Sequence, residues 1–252
     1  MTVGPQYSTL DLNIINVIIQ IIIGYLIADF ITALIHWFED NYLEFNTSSS
    51  IINDIAFHNV MHHFYPRMIV MSSFFDNIRI SLILAFIIIL FIYLINKQII
   101  IKYYVFFITL FIVSTLANYI HRLAHQRDCE NNSFVKFMQK YGLFISHKEH
   151  SHHHSINPEM KYGVINNYTN YIYDGIGIWR ILEKTVYFFT GIKPCIKPTT
   201  EYFYSYYDDT LLNLINSKCP RRLTDKEQKI YFKKLKDIYI INNKYQKKCY
   251  NS

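Results

Sequence analysis

Eleven histidines stand in this chain of 252 residues, and ten of them fall in three short windows. The windows hold His58, His62 and His63; His121 and His125; and His147, His150, His152, His153 and His154. The eleventh is His36. Neutral imidazole is the commonest side-chain metal ligand, so clustering of this kind points to metal chemistry. Spacing narrows the set. His121 and His125 are i, i+4, and His150, His153 and His154 are i, i+3, i+4, so each set lies on one helical face. His62 and His63 are adjacent, and His58 precedes His62 by four residues, which makes it a further candidate ligand. His36 shares a helical stripe with Asp29 and Asp40, at offsets of −7 and +4. Asp29 lies in an apolar stretch, where a carboxylate is costly and usually functional. It is expected to orient a histidine through the free ring N–H, a common supporting role around metals.

The count also carries information. A structural zinc takes four protein ligands and a catalytic zinc three plus water. Eight or more histidines exceed that and suit two metals sharing one pocket. Nitrogen ligands fit iron, copper, zinc or nickel. Two irons working with dioxygen are the first expectation, because the histidines lie beside lipid chains. Breaking an unactivated C–H bond needs an oxidant that side chains do not provide. A lone histidine such as His147 or His152 is more often a surface or packing residue, and these two are not expected to touch metal.

The elements that must position these rings are apolar. The chain is 51% hydrophobic and only 17% charged. Three stretches are long enough to cross a bilayer, which takes about 20 residues. They run from about Leu12 to Phe38, Ile80 to Ile95 and Ile99 to Ile120. Asn96-Lys97-Gln98 joins the last two as a tight helical hairpin. The run 82–95 has no polar face, unlike a helix on a soluble protein's surface. Three crossings bring His36, the 39–79 stretch, His121, His125 and everything after them to one side. That side holds all but two of the 25 Lys and Arg, the exceptions being Lys97 and Lys102. The positive-inside rule makes it the cytosol, in an internal membrane such as the endoplasmic reticulum. Cys129, Cys195, Cys219 and Cys249 show neither metal-like nor disulfide-like spacing, which suits a reducing compartment.

The expected organisation is an all-α integral membrane protein. A short segment 1–11 precedes a membrane domain 12–198, and a basic, Tyr-rich tail 199–252 follows. Within 160–192, Asn166, Asn167, Asn170, Asp174, Arg180, Glu183 and Lys184 interrupt the apolar residues, so helices lying on the membrane surface are expected there instead of a fourth span. From Lys218 the tail carries eleven Lys or Arg, a solvated run or a surface for anionic headgroups. No nucleic-acid recognition module is visible.

Together these residues resemble a known family. Ala28-Asp29, His36-Trp37 and Asp40; His62-His63 and Pro66; Asn118, His121 and His125; and His150, His153 and His154 are similar to the motifs of the Kua-type lipid desaturases. That family includes plasmanylethanolamine desaturase and the plant palmitate desaturase of phosphatidylglycerol. Gly177-Ile178-Trp179-Arg180 and Thr190-Gly191, with Lys193-Pro194, extend the likeness, which covers about residues 25–198.

The resemblance implies that the eight metal ligands are His36, His62, His63, His121, His125, His150, His153 and His154. It places supporting polar residues at Asn118 and Asp174, beside Asp29 and Asp40. It implies a di-iron, dioxygen-dependent enzyme that forms a double bond in a lipid acyl or alkyl chain. Electrons would come from a cytochrome b5-type or ferredoxin-type donor. Two other readings of the residues stay open here: a di-iron lipid hydroxylase, and a metal-binding membrane transporter with no catalytic role.

Overall fold

The computed structural model describes residues 14–43, 48–64, 66, 68–155 and 159–194. Segment 1–11, Arg67 and the basic tail 199–252 lie outside the described residues. Among those described there are nine helices and no strand. Three are long and apolar enough to cross a membrane: α1 (Ile14–Tyr42), α4 (Phe74–Lys102) and α5 (Tyr104–Ala124). Between α1 and α4 lie α2 (Ser50–Phe64) and the single turn α3 (Met68–Met71). After α5 come α6 (Ser133–Lys140), α7 (His147–Ser155), α8 (Thr169–Gly175) and α9 (Ile178–Thr190). None of these six is long enough to span.

The spanning helices wear their apolar side chains outward. In α4 only Asn77 and Ala85 are buried, while Ile83, Phe86, Ile87, Phe91 and Leu94 are exposed. In water that surface would be untenable, whereas lipid satisfies it. Ser73 begins α4 with a capping box, its side chain accepting from the Asp76 N–H while the Asp76 carboxylate takes the Ser73 N–H.

The hairpin lies elsewhere than the sequence suggested. Asn96 does break the helix, with φ −153° and ψ 86°. Its side-chain oxygen then accepts from the N–H groups of Gln98 and Ile99, at 3.1 and 3.3 Å, and starts a fresh turn. The helix resumes to Lys102, and the chain reverses at Tyr103. A residue that can break one turn can cap the next, which sequence alone does not separate.

α1 and α5 pack side by side and run in the same direction, with α4 antiparallel against α5. Gly24 permits the α1–α5 approach, since a Cβ there would stand 2.8 Å from the Phe106 carbonyl. Gln20 bridges the same two helices by accepting from the Phe106 N–H at 3.2 Å. Polar bridging of this kind suits helices packed in lipid. Because α1 and α5 run in parallel, His36 and His121 reach the same end of the bundle.

The segment 159–168 folds back across that end. Asp29, fully buried in α1, accepts from the Ile165 N–H at 3.1 Å, from the Tyr173 hydroxyl at 3.2 Å and from Thr169. None of these partners is a histidine. The expectation that Asp29 orients a ring gives way to a structural role: a buried carboxylate is retained here because it anchors a loop more than 130 residues away. Ile145 donates its N–H to the Ile165 carbonyl at 2.7 Å and closes the same seam.

Candidate metal centre

The eight histidines fall into two adjoining groups. Ring nitrogens of His62, His121, His125, His150 and His154 lie within 4.8 Å of one another. So do those of His36, His63 and His153, together with a carboxylate oxygen of Asp40. Each spacing seen in the sequence has its cause in a helix. α5 presents His121 and ends on His125, while α7 presents His150, His153 and His154, and α2 brings His62 and His63. The two groups touch, with the His63 and His154 rings 4.7 Å apart and those of His36 and His121 5.5 Å apart.

In the first group the Nε2 atoms converge. His150 Nε2 lies 2.7 Å from His121 Nε2 and 2.9 Å from His154 Nε2, and His125 Nε2 is 3.2 Å from His121 Nε2. Nitrogens bound at about 2.1 Å to one ion, at right angles, stand about 3 Å apart, so these separations fit a shared cation. Neither ring nitrogen of buried His62 meets a hydrogen-bond partner among the described residues. Burial, and after it the neighbouring rings, hold His62, His125, His150 and His154 well below the usual histidine range. They are therefore neutral at physiological pH, which is the form that binds metal.

The second group makes the same point by a different route. His153 Nδ1 lies 2.7 Å from the Met160 carbonyl, and His36 Nδ1 lies 3.0 Å from the Tyr162 carbonyl. A carbonyl only accepts, so each Nδ1 carries the hydrogen and each Nε2 presents a lone pair. Yet His153 Nε2 faces an Asp40 carboxylate oxygen at 3.1 Å in a fully buried setting. A metal cation between them would satisfy both groups at once. Asp40 also stands 2.9 Å from His63 Nε2 and 3.7 Å from His36 Nε2, and accepts from Asn59 Nδ2 at 2.9 Å. The donor set thus fits two metal ions, and Asp40, expected behind the histidines, stands among them.

The other sequence candidates lie around this core. His58 lines a cavity beside His62 and belongs to neither group. His147 places Nδ1 2.8 Å from the Ala124 carbonyl at the end of α5. His152 faces Lys161, with 3.4 Å between Nδ1 and Nζ. Asn118 is exposed to the same cavity as His58. Asp174 accepts from the Lys161 N–H at 3.3 Å and from Trp179 Nε1 at 3.0 Å, so it ties the carbonyl-bearing segment to the start of α9. Burial raises its pKa. Sequence reasoning did not identify Met160 and Tyr162, because their contribution is a backbone carbonyl, which any residue carries.

The depressed histidine pKa values have a consequence for stability. Above the ordinary value of 6.5 these rings are neutral in both the folded and unfolded states. As pH falls below it, the unfolded chain takes up protons that the folded core refuses, so folding loses stability. The metal-free protein in detergent should therefore melt at its highest temperature above pH 6.5 and at progressively lower temperatures toward pH 5. A melting temperature flat across that range would contradict the neutral, buried assignment.

Comparison with known proteins agrees with this geometry. The model of the lipid desaturase domain matches residues 25–197, a stretch holding all eight convergent histidines. A probable fatty acid desaturase of Acanthamoeba polyphaga mimivirus is 34% identical over 189 residues, covering 74% of this chain and 90% of the viral protein. The chloroplastic fatty acid desaturase 4-like 1 of Arabidopsis thaliana is 27% identical, covering 68% of this chain and 57% of the plant protein. Plasmanylethanolamine desaturase 1 of Mus musculus is 27% identical, covering 71% and 68%. No solved structure matches. With the domain matched across more than half its length and the histidine groups assembled inside the match, the chain belongs to the lipid desaturase family.

Proposed function

We propose that the two groups hold two iron ions, and that the chain uses dioxygen to form a double bond in an acyl or alkyl chain of a membrane lipid. One observation carries this reading. A cavity of about 660 Å³ runs between α1, α2, α4 and α5, and its lining passes from Leu84, Ala85, Ile88 and Leu110 to His36, His62 and His121. An apolar slot of this size is within the range of ligand pockets, and this one ends on the histidines. The iron supplies the oxidising power that C–H bonds of a lipid require and side chains lack.

The protein's own residues do the rest. Ile80, Leu84 and Phe111 exclude water from the chain and fix which carbons pass the histidines. The carbonyls of Met160 and Tyr162 keep the hydrogen on Nδ1 of His153 and His36, which makes Nε2 the metal-binding nitrogen. Arg79 lies at the polar end of the cavity, suited to a lipid headgroup. In the overall balance two hydrogens leave adjacent carbons, and dioxygen leaves as two waters. Two electrons and two further protons come from outside. The donor is a cytochrome b5-type or ferredoxin-type protein, steered by the exposed Lys136, Lys140 and Lys148. The histidine end faces the cytosol, as Arg79, Arg122 and Arg127 at the helix ends favour.

Comparative lipid mass spectrometry of cells with and without the chain tests this reading. The expected product is one lipid class with an added double bond, and an alcohol in its place would identify a hydroxylase. The slot gives a second expectation. Ala85 is buried and lines the cavity, so Ala85→Phe should shorten the usable space. The ratio of short-chain to long-chain product should rise at least about tenfold, the lower end of what one methylene is worth in an apolar pocket. An unchanged ratio would move the lipid chain elsewhere.

A further inference from the structure

Lys161 is the one non-glycine residue with positive φ among the described residues, at 60°. An L side chain disfavours that conformation, so something must hold it. Its Nζ lies 2.7 Å from Glu149 Oε2 on α7, in a pair that is only 13% and 15% exposed. The ammonium also sits 4.9 Å from the centre of the Tyr171 ring, and the Tyr171 hydroxyl donates to the same Glu149 oxygen at 3.0 Å. His152 Nδ1 completes the box at 3.4 Å. The residues on either side of Lys161 are Met160 and Tyr162, whose carbonyls receive His153 and His36. The left-handed turn at 161 is what lets two carbonyls so close in sequence reach two different rings.

We propose that the Lys161–Glu149 ion pair is the positioning element of the second metal group, fastening the carbonyl-bearing segment to the helix that carries His153. The inference rests on reading the histidines as two metal sites. It gives Lys161 and Glu149 a role through the rings, with no contact to metal or lipid. It also accounts for Asp174, which grips the Lys161 N–H from the opposite side. The two carbonyls of this segment meet rings of the second group, so the two ions should respond differently.

The test titrates a competing chelator against detergent-solubilised protein loaded anaerobically with ferrous iron, and counts iron per chain. Lys161→Met and Glu149→Gln should each weaken one of two ions by roughly 10- to 100-fold, the usual scale for loss of support around a ligand, and leave the other unchanged. Lys161→Arg should keep both. Lys161→Gly is decisive, because it relieves the backbone but removes the ion pair, and it should behave like Lys161→Met. If Lys161→Gly holds both ions as tightly as the wild type, backbone geometry suffices and the inference falls. Tyr171→Phe, at an exposed position where folding is not at stake, should weaken the same ion by a few fold; no change there counts against the proposal. A wild type that binds fewer than two ions overturns the two-metal reading, and this inference with it. A wild type with two ions and variants indistinguishable from it overturn this inference alone.

Discussion

Replacing His150 by alanine should abolish lipid desaturation, with conversion falling at least about a thousandfold. His150 is 1% exposed, and its Nε2 stands within 3 Å of both His121 and His154. His121, by comparison, has His150 at 2.7 Å and His125 at 3.2 Å. Removing His150 deletes the hub of the five-histidine group, the nitrogen on which its neighbours His121 and His154 converge. Iron content should drop from two ions per chain to one, with the helical content of the protein unchanged. His147→Ala is the control. That ring meets the Ala124 carbonyl and lies outside both groups, so its loss should change conversion by no more than a few fold. Equal losses for the two variants would mean that helix α7 is merely fragile. Retained activity in His150→Ala would remove the five-histidine group from the chemistry.

Asp40→Asn is expected to be nearly as damaging, with conversion down roughly a hundredfold or more. The substitution keeps the shape and removes the charge. One carboxylate oxygen becomes an NH2 group, a donor where His63, His153 and His36 need an anion to share a cation with them. In a fully buried setting that exchange costs far more than it would at a surface. The second ion should be lost while the five-histidine ion stays, so the two variants should each retain one ion, but different ones. An Asp40→Asn protein with two ions and normal conversion would return Asp40 to a structural role.

Much of this could be read from residue order. Apolar runs longer than a bilayer is thick announced α1, α4 and α5, and the i, i+3, i+4 pattern separated His150, His153 and His154 from His147 and His152. Helical phase also put His36 and Asp40 on one stripe. What it could not give was the distance at which Asp40 would meet rings from α2 and α7, because those helices approach from elsewhere in the chain. Asp29 was legible as a costly carboxylate, but its partners Ile165, Thr169 and Tyr173 come from a loop that carries no periodic signal. The carbonyls of Met160 and Tyr162 were invisible for a deeper reason: every residue has one, and only the turn at Lys161 selects these two. Asn96 gave a break in the right place and the wrong turn, since it also caps the residues that follow it.

The proposed function requires two iron ions in the adjoining histidine groups at the end of the apolar slot. Metal analysis of the purified wild-type protein, expressed in iron-replete cells and never exposed to chelator, should find about two irons per chain, the number set by the two groups and their donor sets. One zinc per chain, with no iron, would contradict it.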